Sequence, residues 1–232
     1  MKKTVNNTMK RADILIAIVV FTLSFSVSEA ATTAAVRCPI QPRIQGGVNH
    51  IFFSFYKKES NIGKYIPKNL TLLDPIYTKN GAALCLTTQS YNAFVVMNSA
   101  LQKDTQQSLV VRSAWRSAKT QQYFANTRTE FAAIPGRSEH QLGTTADINV
   151  AGALEDTYFL DSPAYAWMST HAHEYGFVQS FTKEGTLTTG IPDEPWHWRF
   201  VGSTIATKIK TEGLNLDQYL FERKEAKKKV TQ

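Results

Sequence analysis

Two histidines and two carboxylates stand in two short segments that could together bind and use a metal ion. His140 and Asp147 lie seven residues apart with Gly143 between them, and Glu194 and His197 follow further along the chain. Two histidines and one aspartate are sufficient for a catalytic zinc site, which takes three protein ligands and leaves one position for water. Glu194 then remains as a base for that water.

The first segment can form a metal site only if the chain turns between His140 and Asp147. An extended chain would separate the two side chains at roughly 3.3 Å per residue, and Gly143 is the residue type that permits a tight turn. Zinc would lower the pKa of its water to about 7, so that Glu194 could accept the proton and pass it to a leaving amine. The alternative, four ordinary polar residues, is disfavoured because both segments occur together.

The elements around the first segment are predicted from periodicity. Apolar residues recur at helical spacing over 90–103, and Leu109-Val110-Val111 begins a strand that runs toward Trp115. Ser117 can cap a helix over about 118–130. Arg116 therefore lies at a strand-to-helix junction, where side chains often point into a cleft.

The later elements place the other polar residues. Residues 146–150 alternate, so a strand that buries Ala146, Ile148 and Val150 directs Asp147 to its other face. A helix begins at Pro163 behind the capping Ser162 and ends at Gly176, with Met168 and His171 on its inner stripe. A strand alternates over 196–201.

Two other patterns suggest rival chemistry. Residues 171–174 read His-Ala-His-Glu, but they lack the His-Glu-x-x-His spacing of a helical zinc site. Residues 54–57 fit the Ser-x-x-Lys pattern of penicillin-binding enzymes, but no Lys-Thr-Gly follows. We interpret the first as residues with a packing or surface role and the second as an accidental match.

The pattern Ser138-x-His140-x-x-Gly143-x-x-x-Asp147, followed by Glu194-x-x-His197, resembles the zinc D-alanyl-D-alanine carboxypeptidases of the VanY type, which are related to VanX dipeptidases and to the Hedgehog signalling domain. The resemblance covers about 85–203 and includes Ser-Ala-Trp-Arg-Ser at 113–117 and Trp-His-Trp-Arg-Phe-Val-Gly at 196–202. It implies an α+β fold, with a small antiparallel sheet under the zinc and flanking helices. Thr145 replaces the usual Ala, and Ala114-Trp115 replaces Gly-Tyr, which leaves substrate preference open.

The resemblance also implies a role for each matching residue. Zn²⁺ would be bound by His140, Asp147 and His197, and Glu194 would be the catalytic base. Arg116 would hold either the scissile carbonyl or the substrate carboxylate, to which its planar fork can make two bonds. Ser138 and Gln121 would help to place the substrate's terminus.

The N-terminus has the pattern of an export signal. Basic residues precede an apolar run over 14–27, and Ser28-Glu29-Ala30 fits a cleavage site. We expect a signal peptide over 1–30, or else an uncleaved anchor. An N-terminal strap with short strands over 31–84, a zinc peptidase domain over 85–222 and a basic tail over 223–232 would follow. Hydrophobic content of 43% and charged content of 19% are ordinary for a globular protein.

Cys38 and Cys85 are the two cysteines of the chain, and both follow the export signal. In an oxidising compartment they are expected to form one disulfide, although two free buried thiols are the alternative. The net charge of +7 would favour acidic partners such as anionic cell-wall polymers or lipid head groups over nucleic acid, but the basic C-terminal residues are better interpreted as a solvated helix end than as a specific binding site.

The functional hypothesis is an exported zinc carboxypeptidase, monomeric and located in the periplasm or cell-wall space. It would hydrolyse the terminal D-Ala-D-Ala bond of peptidoglycan stem peptides and touch the membrane only through an uncleaved signal segment. L,D-carboxypeptidase, D,D-dipeptidase and endopeptidase activities remain open. A different hypothesis is a non-catalytic zinc-containing module that binds cell wall.

Overall fold

The computed structural model describes residues 38, 62–127, 133–153 and 157–230. The predicted signal peptide, most of the first half of the strap and the Ser-x-x-Lys match lie outside these residues. The strands are β1 (Leu70–Leu72), β2 (Cys85–Thr87), β3 (Leu109–Ser113), β4 (Thr145–Val150), β5 (Phe177–Gln179) and β6 (His197–Phe200). The helices are α1 (Thr88–Thr105), α2 (Ala118–Thr127), α3 (Pro163–His171), α4 (Thr186–Thr189), α5 (Ser203–Thr211) and α6 (Leu216–Val230).

Four of the strands form one antiparallel sheet in the order β3-β4-β6-β5. β1 and β2 form a separate antiparallel pair; β1 lies in the segment predicted as a strap, and β2 begins at the first residue of the predicted peptidase domain. The predicted α+β class, a small antiparallel sheet with flanking helices, is confirmed.

The main core lies between one face of the four-stranded sheet and helices α1 and α3. Because successive side chains of a strand point to opposite faces, the apolar positions of β4 and β6 all turn toward these helices. The buried members from α1, α3, β3, β4 and β6 include Phe94, Met97, Leu101, Val111, Ala146, Ile148, Ala164, Met168 and Trp198. The opposite face of β4 and β6 is thereby left for polar side chains.

A second apolar cluster joins α5 and α6 to the edge of the sheet. Its buried members are Val178, Val201, Ala206, Ile209, Leu216, Tyr219 and Leu220. Helix α6 continues to Val230, so most of the segment predicted as a basic tail is helical. No helix within the described part of the chain is both long and apolar enough to cross a membrane.

The N-terminal strap is tied to the domain by a disulfide between Cys38 and Cys85. Cys85 is the first residue of β2, and its carbonyl accepts a hydrogen bond from the backbone N–H of Trp115. The disulfide therefore attaches to a strand that contacts the segment leading to Arg116, and the alternative of two free thiols does not apply.

Candidate active site

The predicted functional residues surround a cleft of about 200 Å³ at one face of the sheet. The cleft is lined by Arg116, Gln121, Phe124, Ala133, Ser138, Glu139, His140, Asp147, Phe181, Ile191, Glu194, Trp196 and His197. Every candidate catalytic, substrate-binding and metal-binding residue named from the sequence is in this set.

Pairing of β4 with β6 brings the two distant segments together. Asp147 and His197 are directly opposite each other in the register of these strands, so their side chains emerge on the same face. Neighbouring Ala146 and Trp198 point the other way, into the core. The alternation that predicts burial of Ala146 and Ile148 thus places Asp147 in the cleft.

A short 3-10 turn over Glu139–Leu142 brings His140 back to Asp147. Gly143 ends the turn with φ of +71°, a conformation that side chains with a Cβ rarely adopt. A Cβ at this position would lie 2.9 Å from a methyl carbon of Leu70 and 3.0 Å from Pro67. The turn expected from the glycine is present, and both its conformation and its packing against the strap require glycine.

The spacing of three side-chain atoms fits a zinc ion. Oδ1 of Asp147 lies 3.3 Å from Nε2 of His140 and 3.2 Å from Nδ1 of His197, and the three atoms lie within 4.8 Å of one another. Tetrahedral ligands bonded to zinc at 2.0–2.1 Å would be separated by about 3.3 Å. Within the described residues this is the one group of three or more such side chains spaced to hold a metal ion.

The second nitrogen of each histidine is already engaged. Nδ1 of His140 donates to the carbonyl of Ala114 at 2.8 Å, and Nε2 of His197 donates to Oε2 of Glu139 at 3.0 Å. Each ring therefore points its other nitrogen at Oδ1 of Asp147, where a metal ion would take the place of the proton that His197 carries without it. Electron-pair donors that converge in this way need a cation between them, so the donor set fits zinc.

Burial and neighbouring charges shift the pKa values of these ligands in opposite directions. Burial and the nearby Arg116 lower the pKa of His140 to about 4. Burial opposes charge on His197, but hydrogen bonds from the ring to Asp147 and Glu139 outweigh it and raise the pKa of His197 to about 10. Burial also opposes charge on Asp147, but His140 and His197 hold the pKa of its carboxyl well below the usual range.

Glu194 is held beside the candidate metal ligands by a tight turn. Its backbone N–H donates to the carbonyl of Phe181, and its own carbonyl accepts from the N–H of His197. Its Oε2 lies 3.4 Å from Nδ1 of His197. Burial raises the pKa of the Glu194 carboxyl, which makes it a better proton acceptor than an exposed carboxylate.

Arg116 enters the cleft from the junction between β3 and α2, as its position in the sequence predicts. Its backbone N–H donates to the carbonyl of His140 at 3.3 Å, and its guanidinium carbon lies 5.1 Å from the centre of the Phe124 ring. That distance is within the range of a cation–π contact. Phe124 therefore helps to fix the direction of the one arginine among the cleft-lining residues.

Gln121 and Ser138 both have buried side chains in the wall of the cleft. Nε2 of Gln121 donates to the carbonyl of Ala133 at 2.6 Å, while its Oε1 has no hydrogen-bond donor among the described residues. The amide is therefore oriented with its acceptor available.

A buried charged network next to the ligands was not anticipated from the sequence. It consists of Glu139, Arg199 and Ser180, and all three side chains are almost inaccessible to solvent. The sequence offered one signal for this network, because Glu139 is next to His140 and Arg199 follows His197 by two residues. Their burial depends on pairing of distant segments and could not be read from either motif alone.

The remaining histidine cluster is a surface feature. Nδ1 of His171 lies 2.9 Å from Oε1 of Glu174, and the His171 side chain is 41% exposed. His171 is the last residue of α3, and a 3-10 turn follows it. His171 is partly exposed, but its ring centre lies 4.9 Å from that of Trp167, which packs against the core, so His171 lies at the edge of the predicted inner stripe.

Comparison with known proteins agrees with this fold and site. Residues 84–203 match the family model described as "VanY: D-alanyl-D-alanine carboxypeptidase". A D-alanyl-D-alanine carboxypeptidase of Enterococcus faecalis is 40% identical over 90 residues, which make up 39% of this chain and 32% of the relative. The chain thus aligns with about a third of that protein.

Two solved structures share the architecture. VanYB in complex with D-alanine-D-alanine has a TM-score of 0.59 and 26% identity, with 70% of this chain and 93% of the other covered. The zinc(II) complex of a point mutant of a vancomycin-resistance D,D-pentapeptidase, VanY from a VanB-type cassette, has a TM-score of 0.56 and 27% identity, with 68% and 90% covered. The fold and the site are those of the zinc peptidases. The chain belongs to the VanY family of D-alanyl-D-alanine carboxypeptidases.

Proposed function

We propose that this protein is an exported zinc carboxypeptidase that hydrolyses the terminal D-Ala-D-Ala bond of peptidoglycan stem peptides. The observation that carries the proposal is the convergence of His140, Asp147 and His197 on one point, with Glu194 beside it in the same cleft. Family membership supports the substrate class, since the similar VanYB structure holds D-alanine-D-alanine.

Each residue of the cleft has a role that follows from its position. His140, Asp147 and His197 would hold the zinc ion, which when bound supplies a Lewis acid and a water of lowered pKa. Glu194 accepts a proton from the attacking water and delivers it to the leaving amine, because its buried carboxylate has a raised pKa and lies next to the ligand cluster.

The other cleft residues hold the peptide. The guanidinium of Arg116 is fixed over Phe124 and binds either the terminal carboxylate or the scissile carbonyl. The available oxygen of Gln121 accepts an N–H of the substrate, and the hydroxyl of Ser138 binds its terminus. We propose that the protein acts as a monomer.

Export is supported by the signal pattern over 1–30 and by the disulfide, which persists in oxidising compartments. We propose that residues 31–84 are a strap, 85–222 the peptidase domain and 223–232 a basic tail. The expected location is the periplasm or the cell-wall space, where the stem peptides are found.

The decisive experiment is digestion of three substrates by the purified full-length chain, followed by mass spectrometry. A stem pentapeptide ending in D-Ala-D-Ala should lose one D-Ala, whereas a tetrapeptide and free D-Ala-D-Ala should be much poorer substrates. Chelation should abolish the reaction, and zinc should restore it. Release from the tetrapeptide or dipeptide instead would assign an L,D-carboxypeptidase or a dipeptidase, and internal cleavage an endopeptidase.

Binding to cell wall without any hydrolysis would contradict the proposed enzymatic activity and favour the alternative of a non-catalytic module that binds cell wall. Activity that survives complete removal of the metal would contradict the zinc chemistry. His171→Ala serves as the control for histidine substitution in these assays, because His171 is partly exposed and lies outside the cleft.

A further inference from the structure

Glu139 is a buried carboxylate whose two oxygens are both engaged. Oε2 accepts from Nε2 of His197 at 3.0 Å and from the hydroxyl of Ser180 at 2.6 Å. Oε1 accepts from Nη1 of Arg199 at 2.7 Å. The side chain is 4% exposed and that of Arg199 is 1% exposed, so solvent contributes little to holding the carboxylate in place.

Three distant parts of the chain meet at this carboxylate. Glu139 belongs to the 3-10 turn that also carries His140, Ser180 directly follows β5, and Arg199 lies in β6. Removing a buried charged pair from water is expensive, and such pairs contribute weakly to stability compared with apolar packing. Retention of this pair beside a metal ligand therefore indicates a function in holding that ligand.

The hydrogen bond to Glu139 determines which nitrogen of His197 can bind a metal. A neutral imidazole carries one N–H, and donation from Nε2 to Glu139 leaves the lone pair on Nδ1. Nδ1 is the nitrogen that faces Asp147 at 3.2 Å. The opposite tautomer would place a proton toward the metal position and leave Glu139 without the ring as donor.

We infer that Glu139 is a positioning residue that holds His197 in the Nε2–H tautomer and fixes its ring for metal binding, with Arg199 and Ser180 holding the carboxylate. The inference rests on the proposed zinc site. It adds one relationship. The turn that carries the proposed ligand His140 also carries Glu139, which orients the proposed ligand His197.

The test is zinc affinity, measured on the full-length chain by competition with a chromophoric chelator. Glu139→Gln keeps the size of the side chain but leaves one acceptor oxygen for three donors. We expect zinc affinity to fall about 10–100-fold, the usual effect of losing a carboxylate partner of a ligating histidine. Glu174→Gln is the matched control, because Glu174 also pairs with a histidine, His171, but at the surface and outside the cleft. Its zinc affinity should stay close to that of the unmodified chain.

A second measurement uses the unmodified chain and therefore does not depend on the folding of a variant. In the zinc-loaded chain labelled with ¹⁵N-histidine, long-range nitrogen–proton NMR spectra should show His197 protonated at Nε2, with a slowly exchanging proton. Protonation at Nδ1 would overturn the inference, as would a folded Glu139→Gln variant with unchanged zinc affinity. Either result leaves the proposed activity intact if hydrolysis is still sensitive to chelation. A chain that binds zinc and orients His197 as described but cleaves no peptide would instead overturn the proposed function.

Discussion

Oε2 of Glu194 lies 3.4 Å from Nδ1 of His197, the same ring nitrogen that faces Asp147. The proposed base is therefore in contact with the ligand cluster without being one of the three converging donors. This separation of roles makes the residues distinguishable by substitution, since loss of the base and loss of a ligand have different effects on the metal.

Glu194→Gln should retain zinc and lose about 10²–10⁴-fold in kcat, because an amide cannot accept the proton that general base catalysis transfers. Metal content by elemental analysis and steady-state hydrolysis of the pentapeptide measure the two effects. Asp193→Asn is the matched control, since Asp193 bonds to Gln179 and is absent from the cleft lining. A fully active Glu194→Gln variant would show that another group is the base.

His140→Ala should lose zinc itself. Its Nε2 is one of the three donors around the proposed metal position, and two ligands do not make a structural or catalytic zinc site. Equilibrium dialysis against zinc should give close to one bound ion for the unmodified chain and for His171→Ala, and little for His140→Ala. Stoichiometric zinc in His140→Ala would place the metal elsewhere.

Zinc binding at neutral pH should release about one proton. The carboxylates raise the pKa of His197 to about 10, so the metal-free protein carries a proton there that zinc must displace. His140 has its pKa lowered to about 4 and is already neutral. Zinc affinity should therefore rise about tenfold for each pH unit between pH 6.5 and 8. Calorimetry in buffers of different ionisation enthalpy counts the protons, and a count of zero would show that His197 is neutral before the metal binds.

Arg116→Lys should lower kcat/KM about 10–100-fold, because lysine keeps the charge but lacks the two-pronged geometry, and hydrogen bonds to charged groups contribute ~1.5–3 kcal/mol. Lys119→Ala, which removes an exposed charge from α2, should have little effect. Comparing a free C-terminus with a C-terminal amide separates the two proposed contacts. If Arg116 binds the carboxylate, the variant loses its preference for the free acid. If it binds the carbonyl, both substrates slow equally.

Loss of the disulfide should destabilise the protein by up to about 4 kcal/mol, the chain-entropy value for two cysteines 47 residues apart. Urea unfolding of Cys38→Ala against the unmodified chain measures this difference. The same comparison in reducing buffer provides the control, because the two proteins should then unfold at similar urea concentrations. If the two proteins were equally stable in oxidising buffer, the disulfide would not be restricting the unfolded chain.

The residues that converge in the cleft could be named from sequence because each depends on a local pattern. Alternation across β4 determines the direction of Asp147, and Gly143 permits the turn that returns His140 to it. Both patterns act over a few residues, and the two motifs were close enough to a known family to be joined.

The parts that sequence reasoning missed depend on contacts between distant segments. Glu139 begins a short polar turn and would ordinarily be assigned to the surface. Its burial requires Arg199 and Ser180, which reach it only after β5 and β6 pair.

The two histidines proposed to bind zinc are anchored by different kinds of atom. His140 donates to a main-chain carbonyl, that of Ala114, whereas His197 donates to the side chain of Glu139. A point mutation can delete a carboxylate, but every residue type carries a carbonyl. In a library of random substitutions, activity should therefore tolerate small residues at position 114 and reject nearly everything at position 139. A single substitution therefore cannot remove the acceptor that anchors His140, whereas it can remove the acceptor that anchors His197.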